Sequence, residues 1–305
     1  MALRSVAAVI SSLAVVTVSG ARQAKPDSGH TDKLVFNVCV ADRNGAAVVG
    51  LEEQDFSALV DKRPAKIAYF TSENSPASIV LLLDTSSTMR KYDAWDEAAS
   101  PLTRFVAQCN PASQFLLITF NSAPEIGADW TSNATTIDDA IAIAENRKRK
   151  QATALYDACM LAIDKAAQAP YDRKYIVLVS NGIDTSSKAR ADQFHRLLRG
   201  SLIPFFCIDI TDPHDSFAVV GRIEMEHIAS VSGGGAFFPG SRQEVPKLIG
   251  EIAQWTRHAY QIGFNLASLP KDGKYHKVAF KLRPPVQTGG TEYYVGFPDE
   301  FYSAK

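Results

Sequence analysis

Four aliphatic residues, Val80-Leu81-Leu82-Leu83, stop abruptly on Asp84, and hydroxyls follow at Thr85, Ser86, Ser87 and Thr88. Asp84, Ser86 and Thr88 alternate along the chain, so one carboxylate and two hydroxyls can turn toward one point. All three offer oxygen, which suits a hard cation such as Mg²⁺ that prefers octahedral oxygen coordination and keeps some of its waters. Two further places carry matching groups: Thr153, just before a helical pattern, and Ser180-Asn181-Gly182, after the apolar run Tyr175 to Val179. Taken alone, Asp84-x-Ser86-x-Thr88 has a plainer reading, because a hydroxyl after a strand often caps the next helix. Position decides between the two. At the carboxyl edge of a parallel sheet, strand ends converge and ligand groups gather.

The elements around these residues predict such a sheet. An apolar run bounded by polar turn residues reads as a strand buried on both faces. Strands are predicted at 79–83, 115–120, 175–179 and 203–210. Helices are predicted at 95–109, 137–144, 154–167, 189–198, 223–231 and 245–259. Strands alternating with helices give an α/β domain: a doubly wound, mostly parallel sheet with helices on both faces. Gly233-Gly234-Gly235 reads as a helix C-cap and turn.

The texture on either side is β. Residues 33–75 hold short strands at 34–40, 56–60 and 67–70, with turns at Asp42-Arg43-Asn44-Gly45 and Asp61-Lys62-Arg63-Pro64. Residues 260–300 hold strands at 260–265, 275–282 and 292–297. Each fragment is too small to bury a core alone. The pair is expected to complete one β-sandwich, with the α/β domain of residues 76–259 inserted between its halves.

The global properties set bounds. The chain has 305 residues and a formal net charge of −1, and nothing in it points to nucleic acid. Arg4, the apolar run Val6 to Val18 and the small residues Ser19, Gly20 and Ala21 have the layout of a secretory signal peptide. Cleavage is expected after Gly20 or as late as Ala24, giving an exported protein, periplasmic or secreted, with no stable membrane insertion. Cys39, Cys109, Cys159 and Cys207 are widely spaced; the plain reading is buried free thiols, and three complete disulfide pairings stay open.

The α/β region resembles the von Willebrand factor type A domain, whose fold is Rossmann-like. Asp84-Thr85-Ser86-Ser87-Thr88 matches the family's metal-ion-dependent adhesion site, normally D-x-S-x-S. Thr153, within Gln151-Ala152-Thr153-Ala154-Leu155, looks like the family's threonine, and Ser180-Asn181-Gly182 like its S-D-G. Asp55-Phe56, Ile228 to Gly234, Tyr260 to Phe264 and Tyr293 to Phe297 are similar to the von Willebrand factor A-related family abundant in acidobacteria. The resemblance implies Mg²⁺ or Mn²⁺ on Asp84, Ser86, Thr88 and Thr153, and capture of a partner protein through an acidic residue that completes the metal's coordination. Asn181 stands where the family has a carboxylate, which predicts weakened metal affinity or a site without metal. Asp184 either substitutes for it or is an ordinary loop residue.

Arg90, Lys91 and the run Arg147-Lys148-Arg149-Lys150 flank these motifs. They read either as solvated loops or as a basic rim that attracts an acidic partner without metal. Other classes fit less well. A haloacid-dehalogenase-like phosphatase needs a second Asp two residues after the first, where this chain has Ser86. Neither a G-x-G-x-x-G turn nor a G-K-[ST] phosphate loop opens the α/β region. A structural or assembly module of the cell envelope is the alternative to a binding protein.

Overall fold

The computed structural model describes residues 32–72, 74–87, 95–145, 152–209, 211, 218–284 and 293–304. In chain order, the first β segment gives β1 (Lys33–Asp42), β2 (Phe56–Val60), β3 (Arg63–Ala65) and β4 (Tyr69–Thr71). The α/β region follows with β5 (Ser78–Asp84), α1 (Trp95–Gln108), β6 (Gln114–Phe120), β7 (Pro124–Thr131), α2 (Ala134–Glu145) and α3 (Leu155–Ala167). It continues through β8 (Lys174–Val179), α4 (Ala191–Ser201), β9 (Phe205–Ile208), α5 (Ala218–Ser232), β10 (Gly235–Phe237) and α6 (Val245–His258). The last β segment is β11 (Tyr260–Asn265), β12 (Lys274–Leu282), β13 (Tyr293–Gly296) and β14 (Glu300–Ser303).

The central sheet has the order β10-β9-β8-β5-β6-β7. β5 sits between β8 and β6, parallel to both, and all seven of its residues are buried. Its side chains alternate between two cores. Ile79, Leu81 and Leu83 meet Phe105, Ile141 and Ile249 from α1, α2 and α6. Val80 and Leu82 meet Leu155, Phe194 and Met225 from α3, α4 and α5. A strand covered on both faces cannot show polar alternation, which is why β5 is a continuous aliphatic run.

The two β segments interleave into a pair of four-stranded sheets, β13-β1-β11-β4 and β14-β12-β2-β3. Each sheet takes two strands from each end of the described chain. Phe36, Val38, Phe264, Phe280 and Phe301 share one core between them, with the Phe36 and Phe280 rings 5.6 Å apart. The sandwich is tied to the α/β region in several places, and Cys39 and Ala41 of β1 lie in the core under α1, α2 and α6. Trp255 Nε1 on α6 donates to the Gly45 carbonyl at 2.8 Å, and its ring stacks on Tyr294 of β13. On the other side Arg199 of α4 pairs with Glu300 of β14.

Several elements differ from the sequence expectation. β7 and β14 are additional strands; β7 runs antiparallel to β6 with register shifts and is mostly exposed, so it lacks an apolar signature. The turn expected over Asp61 to Pro64 is confined to Asp61 and Lys62, both at positive φ, and the chain resumes as β3 at Arg63. Gly235, expected in a helix cap, opens β10. α5 starts at Ala218, five residues before the helix expected at Ile223. All four cysteines are buried and free. Among the described residues no helix is long and apolar enough to cross a membrane.

Candidate metal and partner-binding site

Asp84 ends β5 with no solvent exposure. Its Oδ1 accepts from the Ser86 amide at 2.8 Å, and its Oδ2 accepts from the Ser180 hydroxyl at 2.8 Å. Ser86 and Ser180 are themselves wholly buried. Burial pushes the Asp84 carboxyl above its usual range, and the bonds from Ser86 and Ser180 oppose the rise. β5 and β8 are parallel neighbours in register, so Ser180, one residue past β8, falls beside the carboxylate. The structure therefore brings Asp84, Ser86 and Ser180 together as the sequence spacing predicts.

Thr153 joins the same edge through backbone bonds. The Ala154 amide donates to the Asn121 carbonyl at 2.6 Å, and Asn121 Nδ2 donates to Thr85 Oγ1 at 3.4 Å. The Thr153 amide donates to Thr185 Oγ1, while its carbonyl accepts from the amides of Thr185 and Ser186. Thr153 is thus held between the turn after β6 and the loop after β8. Asn181 is 5% exposed, and its Oδ1 accepts from the Ile183 amide at 3.1 Å. Thr88, Arg90, Lys91, Lys148, Arg149 and Lys150 lie outside the described residues.

The turn carrying Asn181 is pressed against α5. Gly182 has φ +75°, and a Cβ on it would lie 2.2 Å from the Gly221 carbonyl oxygen. A Cβ on Gly221 would lie 1.8 Å from the Asn181 carbonyl oxygen. Only glycine at both places lets the two backbones touch.

Other carboxylates at this edge are already engaged. Asp184 accepts from Ser187 Oγ at 2.5 Å and from the Tyr156 amide at the start of α3. Asp157 accepts from the amides of Lys188 and Ala189. Asp184 therefore braces the loop after β8, which is the plainer of its two expected roles. Sequence reasoning overlooked Asp209, which follows β9 and is 1% exposed. It accepts from Arg222 Nε at 2.7 Å, from the Thr211 amide and from the Thr211 hydroxyl. The signal was present, since Cys207-Ile208-Asp209 is another apolar strand ending on a carboxylate.

The donor set fits a small hard cation. Asp84, Ser86, Thr153 and Asn181 offer a carboxylate, two hydroxyls and an amide, all oxygen. Buried carboxylates are ordinarily paired or hold a metal, and no cationic side chain among the described residues bonds to Asp84. Among the described residues no three His, Cys, Asp or Glu side chains group to hold an ion, so an ion here would rest on one carboxylate, hydroxyls and the Asn181 amide.

Residues 79–183 match the sequence profile of the von Willebrand factor type A domain. No curated protein matches the chain. Among solved structures, the D319A mutant of the PilB minor pilin from Streptococcus sanguinis aligns at 12% identity and TM-score 0.51, over 60% of this chain and 62% of that one. Proximal thread matrix protein 1 from the mussel byssus aligns at 15% identity and TM-score 0.50, over 70% of this chain and 50% of that one. A von Willebrand factor type A protein from Catenulispora acidiphila aligns at 11% identity and TM-score 0.50, over 90% and 75%. The chain thus spans less than two thirds of the pilin and half of the mussel protein. These likenesses concern the fold. Asp84, Ser86, Thr153 and Asn181 all lie within the segment that matches the von Willebrand factor type A domain.

Proposed function

We propose that the protein is an exported binding module that captures an acidic group of a partner protein at the carboxyl edge of its α/β sheet. Asp84, Ser86, Thr88 and Thr153 would hold Mg²⁺ or Mn²⁺, with Asn181 as a neutral fifth group. When bound, the ion offers a Lewis-acidic position to a partner carboxylate. One observation carries the reading: the wholly buried Asp84 carboxylate receives only neutral donors among the described residues. Ser180 and the Ser86 amide fix both of its oxygens, so the charge is oriented before any ligand arrives. Asn181 contributes no charge, which predicts a weak ion site.

Binding rather than catalysis is supported by Ser86 standing where a phosphatase of the haloacid-dehalogenase type needs its acid. Export rests on Arg4 and the apolar run Val6 to Val18. The basic residues Arg90, Lys91, Lys148, Arg149 and Lys150 would add electrostatic attraction for the same acidic partner.

Calorimetric titration of Mg²⁺ and Mn²⁺ into the protein, beside Asp84→Ala, tests the reading. Saturable one-site binding by the natural protein and none by the variant is expected. Identical heats from both proteins would remove the ion from Asp84.

A further inference from the structure

In the sheet β14-β12-β2-β3, β14 holds one end against the α/β region through Glu300 and Arg199, and β3 closes the other end. At that far edge a cleft of about 510 Å³ opens between the β2–β3 hairpin and the loop after β11, a size usual for small-molecule sites. One wall is the flank of the sandwich core. Leu269 belongs to that core, and Val60 and Ala65 pack against it. Pro64 and Pro270 complete the lining.

The charged and hydroxyl side chains of the cleft are Asp61, Arg63, Lys66 and Ser268. Asp61 accepts from the Lys277 amide at 3.1 Å and meets His276 Nδ1 at 2.7 Å. Ser268 Oγ donates to the Asn265 carbonyl at 2.7 Å. Arg63 and Lys66 are exposed, and among the described residues neither forms an ion pair. Lys62 and Lys271 adjoin the lining in sequence, and the nearby Asp272 is already held by His276 and Lys274. What the cleft leaves uncommitted is positive charge beside an apolar wall. Proline and edge charges also serve to blunt an edge strand, but that service needs no recess reaching core side chains. Pro64, in the middle of β3, has no amide to give to an added strand.

We infer that this cleft binds a small amphipathic anion. Its aliphatic or aromatic body lies against Val60, Ala65 and Leu269, and its carboxylate or phosphate head meets Arg63 and Lys66. A guanidinium and an ammonium on flexible stems can both close on such a head. The site shares no residue with the Asp84 site and needs no metal ion.

Titration of the ¹⁵N-labelled protein, in chelator and at constant ionic strength, tests it without an ion at Asp84. The probes are hexanoate, hexyl phosphate, the neutral hexanamide, and acetate. Amide shifts of Arg63, Ala65, Lys66, Ser268 and Leu269 should saturate with hexanoate or hexyl phosphate, and the tighter of the two identifies the head. That anion should bind about fivefold more tightly than hexanamide, the gain from two ion pairs at an exposed rim. It should bind at least about tenfold more tightly than acetate, which lacks the body. Arg63→Gln/Lys66→Gln replaces two exposed side chains, so it should fold, lose the gain over hexanamide and keep the affinity for hexanamide itself.

Hexanamide that binds as tightly as the anions, or a gain that survives in the double variant, would overturn the inference. Acetate that matches the longer anions would overturn it too, leaving only diffuse attraction of anions to a basic surface. The absence of saturable shifts at these residues with either longer anion would overturn it outright.

Discussion

Asp84 and Asp209 occupy equivalent places: each is a buried carboxylate where a parallel strand gives way to the sheet's carboxyl edge. Each accepts one amide bond from the residue two positions on and one hydroxyl bond. They differ in one partner. Asp209 has Arg222 Nε at 2.7 Å, whereas Asp84 has only neutral donors among the described residues. A buried charge without a counter-charge is costly. The fold has therefore closed one end-of-strand site internally and left the other to be completed by a proton or a cation. Burial with an arginine makes a structural joint; the same burial without one leaves the carboxylate in want of a counter-charge.

The largest effect expected from this contrast comes from opening the closed site. Arg222→Ala should lose about 3 kcal/mol of stability in urea denaturation, because Asp209 stays buried and uncompensated. Asp209→Asn added to it should recover most of the loss. A single variant as stable as the wild type would show that the ion pair does not separate the two sites.

Closing the open site comes next. Asp84→Asn keeps an oxygen for the Ser86 amide and can donate to Ser180 Oγ, so the variant should fold. Saturating Mg²⁺, at about a hundred times its dissociation constant, should stabilise the wild type by about 2.7 kcal/mol and the variant by nothing. In chelator the order should reverse, with the variant more stable by about 1 kcal/mol. A variant that is less stable in chelator would contradict the cost assigned to the bare carboxylate.

Asn181→Asp tests how far charge limits the site. We expect about tenfold tighter Mg²⁺ binding, or about 1.4 kcal/mol. In chelator it should be less stable, because a second carboxylate then shares the edge with Asp84. Unchanged affinity in calorimetry would place Asn181 outside the ion's coordination.

A third group of carboxylates sharpens the comparison at the surface. His276 Nδ1 meets Asp61 at 2.7 Å and its Nε2 meets Asp272 at 2.9 Å, so the ring bonds both best as a cation. Those bonds raise the His276 pKa above 6.5 and lower both aspartates below 3.8. The histidine's contribution is complete below its unfolded value near 6.5 and is lost as pH rises through the higher folded value. The aspartates' contribution is complete above 3.8 and is lost as pH falls through their depressed values. Thermal melts across pH should therefore show a small stability advantage of wild type over His276→Gln between those limits, fading above 6.5. A difference that is flat across pH would refute the pairing.

The parts that were legible in the sequence share a cause. β5 and β8 are buried on both faces, so burial wrote itself as uninterrupted apolar runs, and what ends each run is conspicuous. Asp84 and Ser180 stand at the ends of those runs, and joining them with Ser86 drew also on the parallel-sheet context and the family resemblance. β7 was not legible because it is an irregular, mostly exposed edge strand. Asp209 was absorbed into a strand drawn two residues too long, and its partner Arg222 lay ahead of a helix drawn five residues too short. The contact of Gly221 with Asn181 joins residues 40 positions apart. No local pattern records such a contact, because a glycine's missing side chain carries no periodicity.

Lys33 pairs with Asn265, and Cys39 with Gly296. β1, with Phe36, Val38 and Val40 destined for the sandwich core, is made well before its neighbours β11 and β13. Of the two cores of the α/β region, the one under α3, α4 and α5 needs nothing from β1, whereas Cys39 and Ala41 of β1 belong to the other. Such distant pairing is slow to form, and a ribosome that stops before β11 releases a chain whose first strand has no mate.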